Sequence, residues 1–232
     1  MSEQSSTGTK TADDPEARGL RLVVVLLGLT VVSGLIDAVS YLGLEHVFTA
    51  NMTGNVVVLG FAAAGAPGFS VLHNLTSLGF YVVGAVAGGR SAIWLGAGSR
   101  RTWARLALAT EAVLLGAAAV VFFTALDATA TVYTLIAVTA LAMGLRNATV
   151  RRLGVPDLTT TVLTMTLTGL AADSRVGGGS GSRSPRRTAS VIAMAAGAAL
   201  GAWLVLHHGL GVSLAVAAGL VAVLAVTASG RE

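Results

Sequence analysis

Residues 20–43, LRLVVVLLGLTVVSGLIDAVSYLG, decide the fold of this chain. The stretch is long and apolar enough to cross a membrane, because a spanning helix needs about 20 mostly apolar residues. The composition agrees, since 54% of the 232 residues are hydrophobic and only 11% are charged. A soluble domain carries about 25% charged residues and cannot bury so much apolar surface. The sequence therefore predicts an all-α membrane protein.

The composition also excludes several classes of protein. The chain has no cysteine, which excludes a disulfide-stapled secreted protein and a thiolate metal site. Its net charge is +4, but the basic residues are spread along the chain without interleaved aromatic residues, so we expect no nucleic-acid partner. The adjacent His207 and His208 lack the further ligands of a metal motif. The common catalytic and nucleotide-binding motifs are also missing, and we expect no enzyme activity, metal or cofactor.

Hydropathy divides the chain into long and short apolar segments. Two of them, 51–66 and 159–172, are short and rich in Thr, Asn and Gly. As helices they reach only about 21–24 Å, less than a hydrocarbon core of about 30 Å. They are predicted to be re-entrant half-helices or spans with an unwound polar portion. The six segments long enough to span are 20–43, 75–97, 103–126, 130–150, 188–207 and 210–228.

The basic residues favour six crossings. Cytoplasmic loops carry the excess of Lys and Arg in membrane proteins. If the two short segments do not cross, all 15 basic residues lie on one side, whereas eight crossings would divide them almost evenly. The sequence therefore predicts an inner-membrane protein with six transmembrane helices and both termini in the cytoplasm. A disordered cytoplasmic tail is predicted at 1–18, and a flexible cytoplasmic loop without chemical interest at 174–187.

The two halves of the chain resemble each other. Gly34–Ala38, GLIDA, matches Gly144–Ala148, GLRNA, and the GAVAG segment at 84–88 matches GAALG at 197–201. Helices rich in Ala and Gly also produce chance matches. Each half nevertheless has a long helix, a short polar segment and two further long helices. We predict membrane repeats at 19–126 and 129–229.

The repeats would be inverted, because each contains three crossings. Such 3+3 inverted repeats occur in many transporters, whose discontinuous helices meet near the membrane midplane. Irregular backbone is tolerated there only if it is buried in protein or lines a water-filled cavity. The sequence therefore predicts a polar site between the two Thr-rich segments.

Two motifs resemble a known family. Gly34–Gly43 with Phe48–Asn55, FTANMTGN, and Met143–Ala148 with Val155–Thr164, VPDLTTTVLT, resemble the hallmarks of the YoaK-like bacterial membrane proteins. Met165 departs from the second hallmark. The resemblance covers residues 20–228 and implies a multi-pass inner-membrane protein. The family is defined as a domain of unknown function, so the resemblance implies no activity.

Two acidic residues lie within predicted spans. Ionisable groups there are rare and costly, so Asp37 and Glu111 are candidate coupling or gating residues. Arg146 and Asn147 are candidate partners of Asp37, and Asn147 occupies the matching position in the second half. The structural alternative is that Asp37 locks its helix to the adjoining polar segment, and that Glu111 bonds a neighbouring helix.

Polar residues of the short segments could line a solute path. Their amides and hydroxyls can bind a solute or an ion, or can hold helices together at about 0.6 kcal/mol per contact. For a single Thr, holding helices together is the favoured role. For Asn51 with Asn55, one turn apart, binding a solute or an ion is favoured. The candidate path residues are Asp37, Asn51, Thr53, Asn55, Asn147, Thr160 and Thr164.

Small residues predict close helix packing. Gly84 with Gly88 and Gly197 with Gly201 are GxxxG pairs, which pack helices within one protomer or between protomers of a homo-oligomer. The leading functional hypothesis is passive or ion-coupled movement of a small polar solute or ion between the repeats. The alternative is a non-transporting scaffold or assembly factor that works through the glycine faces. Membrane lipids are partners in either case.

Overall fold

The computed structural model describes residues 15–94, 100–125, 127–154, 163–181 and 184–228. These residues are all-helical and contain no strand. The chain order is α1 Pro15–Gly43, α2 Met52–Ala63, α3 Val71–Trp94, α4 Arg100–Thr124, α5 Ala128–Leu153, α6 Leu163–Ala172 and α7 Ser184–Thr227.

Five of these helices are long and apolar enough to cross a membrane: α1 over Leu22–Gly43, α3, α4 over Thr102–Thr124, α5 and α7. The helices α2 and α6 are shorter, with 12 and 10 residues. The protein is therefore a multi-pass membrane protein with two short apolar helices, as the sequence predicts.

The last helix is interrupted at Gly209. It has 44 residues, and a straight helix of that length would extend about 66 Å, about twice the thickness of the hydrocarbon core. Gly209 has φ 80° and ψ 173°, a non-helical conformation in which a side chain would be strained. We refer to residues 184–208 as α7a and to 210–227 as α7b.

The chain reverses direction at this break. Leu210 at the start of α7b lies against Gly43 at the end of α1, and Leu224 lies against Gly28. The helix α7b is therefore antiparallel to α1. By contrast, α7a runs parallel to α1, because Gly197 lies at Val31 and Gly201 at Leu35.

Backbone contacts at glycine join α1 to α7a. A Cβ on Gly197 would overlap the carbonyl oxygen of Val31, and one on Gly201 would lie 2.5 Å from that of Leu35. A Cβ on Gly34 would overlap the backbone of α7a. Only glycine allows this approach, in which the two backbones touch directly.

The same arrangement joins α3 to α5. A Cβ on Gly84 would overlap the carbonyl oxygen of Leu141, and one on Gly88 would lie 2.9 Å from that of Leu145. A Cβ on Gly144 would overlap the backbone of α3. The glycine faces that the sequence predicts for helix packing are therefore used between helices of one chain.

Each of these glycine helices packs on a helix from the other half of the sequence. The glycine helix of the first half, α3, packs on α5, and the glycine helix of the second half, α7a, packs on α1. The partners correspond as well, since Val31 and Leu35 occupy the same places in the first half as Leu141 and Leu145 in the second. The helix α4 lies between the two pairs, against α5 and α7.

Two predicted boundaries need correction. The predicted tail at 1–18 ends too late, because α1 already begins at Pro15, and residues 1–14 lie outside the described residues. The predicted loop at 174–187 also extends too far, because α7 begins at Ser184.

Candidate functional site

The acid of the first span holds the start of α2. Asp37 is buried, and one of its carboxylate oxygens, Oδ1, accepts hydrogen bonds from the backbone N–H groups of Ala50, at 3.2 Å, and Asn51, at 3.1 Å. Asn51 caps α2, since its Oδ1 accepts from the Gly54 N–H at 3.2 Å. This capping satisfies an N–H that has no partner inside the helix. Asp37 thus fixes the position at which α2 begins.

Asn55 fixes the segment that precedes α2. Its side chain is fully buried, accepts from the Phe48 N–H at 2.8 Å and donates to the Phe48 carbonyl at 2.5 Å. It also donates to the Ser77 hydroxyl at 3.0 Å, which itself donates to the same carbonyl at 2.7 Å. The amide therefore ties the irregular chain at 48 to both α2 and α3. This is a positioning role, which the sequence offered as the alternative to solute binding.

A cavity of about 470 Å³ lies between the two short helices. It borders the first turn of α2 and the first turn of α6, and Met194 of α7a closes part of it. The polar site predicted from sequence was placed between these two segments. The lining residues are Phe48, Asn51, Thr53, Gly54, Val57, Val58, Leu163, Thr164 and Met194.

The cavity combines polar groups with an uncharged wall. Asn51, Thr53 and Thr164 supply an amide and two hydroxyls, and none of the described lining residues is charged. Both short helices present their N-terminal turns to it, where backbone N–H groups carry partial positive charge. Three predicted path residues thus meet at one cavity, and Thr160 lies outside the described residues. That these residues carry a solute stays a prediction.

A buried ion pair lies at the centre of the bundle. Arg146 on α5 is 1% exposed, Glu111 on α4 is 0% exposed, and the guanidinium donates from Nε at 2.8 Å and from Nη2 at 2.5 Å to Oε1 of Glu111. The Nη1 group reaches across to α1, where it donates to the Ser33 hydroxyl at 2.7 Å and to the Leu29 carbonyl at 3.1 Å. One side chain thereby links α1, α4 and α5.

This pair corrects the sequence-based reading of Arg146. The charge pattern places all 15 basic residues on the cytoplasmic side, but Arg146 points into the protein core. The sequence offers two roles for Glu111, coupling or a bond to a neighbouring helix. In the structure Glu111 is bonded to the neighbouring helix α5 through Arg146. The sequence did not reveal the pairing, since a buried arginine near a helix end looks the same as a loop arginine. The one signal was an acid in the middle of an apolar span.

The other predicted partner of Asp37 lies in a separate contact. Asn147 donates from Nδ2 to the hydroxyl of Tyr81 on α3 at 2.8 Å. The direct ion-pair partner of Arg146 is Glu111. The contacts of Asp37 are therefore the backbone N–H groups of Ala50 and Asn51.

The end of α6 is held by an arginine from the predicted loop. Arg187 is buried and donates to the Gly169 carbonyl at 2.5 Å and to the Asp173 carboxylate at 2.7 Å. A cation at this position is favourable, since the C-terminal end of a helix carries partial negative charge. The segment 174–187 was predicted to lack chemical interest, and Arg187 corrects that prediction.

A metal-binding cluster is not found among the described residues, where no group of three His, Cys, Asp or Glu residues comes together. His207 and His208 lie against the ring of Trp203.

Comparison with known proteins identifies the family. Residues 25–227 match the family described as "Protein of unknown function (DUF1275)". The chain is 34% identical over 148 residues to the UPF0700 transmembrane protein YoaK of Bacillus subtilis (strain 168), covering 62% of this chain and 64% of the relative. It thus spans less than two thirds of the length of that curated relative. No solved structure matches the chain. The resemblance seen in the two sequence motifs is confirmed, and the chain belongs to the DUF1275 family of transmembrane proteins.

Proposed function

We propose that this protein moves a small polar solute or ion across the membrane. The observation that carries the proposal is the cavity between the first turns of α2 and α6, where polar side chains of two short apolar helices come together. Short helices whose ends meet at a cavity inside a bundle are typical of transporter binding sites. The helix N-termini favour a neutral polar solute or an anion over a cation.

A six-crossing topology supports this proposal. The reversal at Gly209 divides α7 into two crossings, which make six together with the four long helices before it. With α2 and α6 re-entrant, the N- and C-termini and the arginine-rich loops lie on the same side, which is then the cytoplasm of a bacterial inner membrane. The cavity is then bordered by two half-helices that enter the membrane from opposite sides.

Inverted symmetry supports it further. The glycine contacts of α7a on α1 reappear, residue for residue, in those of α3 on α5. An inverted 3+3 repeat accounts for this correspondence, because a two-fold axis in the membrane plane would exchange the two helix pairs. Transporters of this architecture alternate access by rocking one such unit against the other around a fixed site.

The glycine contacts favour transport over the scaffold hypothesis. It required the glycine faces of α3 and α7 to be available to partners, whereas Gly84, Gly88, Gly197 and Gly201 are all buried against helices of the same chain. The polar cavity would have no role in a scaffold. Transport therefore accounts for more of the observed features, because it also gives the polar cavity a role.

Cysteine labelling tests the solute path, and the chain has no native cysteine to interfere. We expect Thr53→Cys and Thr164→Cys to react with a charged, membrane-impermeant thiol reagent, because both side chains border the cavity. The matched controls are Val56→Cys on α2 and Met165→Cys on α6, which are exposed but do not line the cavity. These two should react only with a membrane-permeant reagent. Failure of both cavity cysteines to react from either side would exclude a water-lined path.

The topology has a separate test. We expect Pro67→Cys and His208→Cys to be labelled by an impermeant maleimide added outside intact cells, since both lie at the ends of helices that lead to the outer side. Ser180→Cys should be labelled only after the cells are opened. Labelling of position 67 only from the inside would show that α2 crosses the membrane, and protection of position 208 would show that α7 does not turn back.

A further inference from the structure

The described part of the bundle has three buried charged residues at its centre. They are Asp37, Glu111 and Arg146, and the fourth buried charge, Arg187, is paired with Asp173 at the start of α7. The cluster thus contains two carboxyl groups and one guanidinium, which is bonded directly to Glu111. An unbalanced buried charge is costly, and such a group neutralises by binding a proton. Charge balance in this cluster requires one proton on one of the two acids.

The geometry allows either acid to be the one that is ionised. Arg146 binds Ser33 through Nη1, and Asp37 lies one helical turn from Ser33 on the same face of α1. That turn corresponds to a shift of about 6 Å along the helix. Glu111 uses only Oε1 in the ion pair, and its Oε2 is buried without a hydrogen-bond partner among the described residues.

The surrounding helices supply no competing charge among the described residues. The helix α3 contributes the Tyr81 hydroxyl, which accepts from Asn147, and α2 contributes only uncharged polar groups. The helix α7 contributes Arg187, which is engaged at the end of α6. The guanidinium of Arg146 would also repel a metal cation at this position.

We propose that Asp37, Glu111 and Arg146 together hold one exchangeable proton, and that this proton is the ion that drives transport. This inference rests on the proposed function. With the proton on Asp37, Arg146 pairs with Glu111, as in the structure. The proton then passes from an Asp37 oxygen to Oε2 of Glu111 while the guanidinium moves to Asp37, so one O–H bond breaks, one forms and the charge of the cluster is unchanged.

The cluster is connected to the cavity through Asp37. Its carboxylate binds the N–H of Asn51, and the Asn51 side chain lines the cavity. A solute that displaces the first turn of α2 therefore changes the hydrogen bonds of Asp37. Release of the proton from Glu111 to one side and its uptake by Asp37 from the cavity would complete one cycle.

Infrared spectroscopy of the purified full-length protein at neutral pH tests the proposal without knowledge of the solute. The measured quantity is the C=O band of protonated carboxyl groups. We expect one protonated carboxyl group in the native protein. We expect none in Asp37→Asn or in Glu111→Gln, because each variant keeps one carboxylate whose charge is balanced by the guanidinium of Arg146. Arg146→Met should show twice the native band, because both acids must be neutral. Glu45→Gln, which alters an exposed acid, should leave the band unchanged.

The opposite result is equally clear. If the acids are independent structural groups, one variant removes the band and the other leaves it intact, which would overturn the proposal. Absence of a band in the native protein would overturn it too. If Arg146→Met does not fold, the two acid variants alone decide the question. Asp37→Asn is expected to fold because its amide oxygen can still accept from the N–H groups of Ala50 and Asn51. Cysteine labelling of the cavity is independent, so failure of transport and failure of proton coupling are distinguishable.

Discussion

Replacement of Arg146 by methionine is expected to lower the free energy of unfolding by about 3–5 kcal/mol, since breaking a buried ion pair leaves the partner uncompensated. Glu111 is 0% exposed and would lose both donors of its ion pair. The helix α1 would also lose the hydrogen bonds that Ser33 and Leu29 accept from Arg146 on α5. Chemical denaturation of the purified protein in detergent measures this loss.

Three further variants show whether the effect comes from the pair. The double variant Arg146→Met with Glu111→Leu should recover much of the stability, because neither member of the ion pair is left buried without its partner. Arg146→Lys should recover only part of it, since an ammonium cannot reproduce the fork that reaches Glu111, Ser33 and Leu29 together. Arg105→Met, on an exposed part of α4, should have little effect. An Arg146→Met protein as stable as the native one would show that the pair is not a structural link.

Replacement of Gly84 or Gly197 by alanine is expected to lower the free energy of unfolding by at least about 1–3 kcal/mol, the loss typical of an overpacked core. The added Cβ would overlap the carbonyl oxygen of Leu141 in one case and of Val31 in the other. Because the overlap is with backbone atoms, a side-chain movement cannot relieve it. The two helix backbones would have to separate. We expect reduced yield of folded protein and a lower unfolding temperature for both.

Glycines of the same protein with open surroundings provide the controls. Gly89 on α3 and Gly219 on α7 have nothing within 4 Å of a Cβ. Alanine there should be neutral or stabilising by up to about 1 kcal/mol, because it favours the helix. Comparable losses at Gly84 and Gly197 would agree with equivalent contacts in the two halves. A loss at only one of them would show that the two helix pairs are not equivalent.

Much of the architecture could be predicted from hydropathy. The long helices fall close to the predicted segments, and the gap left between 207 and 210 contains Gly209, where the helix is broken. The two Thr-rich segments form short helices, and a cavity lies between their first turns. These features depend on local composition and segment length, which a single sequence displays directly.

The pairing of buried side chains could not be predicted in the same way. Arg146 and Glu111 are separated by 35 residues, and an ion pair over that distance depends on how α4 and α5 pack. Asn55 shows a similar difficulty, because an amide that lines a path and one that binds Phe48 have the same sequence signature. The sequence singles out Glu111 and Asn55 as polar residues within the membrane, but the partner of each depends on tertiary structure.

The exchanged helix pairs have a consequence for biosynthesis. The partner of α1 is α7, which the ribosome completes about 170 residues later, a delay of about 10–30 s at ordinary rates of synthesis. During that time the glycine face of α1 must be covered by lipid, by the insertion machinery or by a temporary neighbour. Contacts so distant along the chain also slow folding. Neither half can therefore mature while the other is still being made, and the native bundle closes only after translation of its last helix.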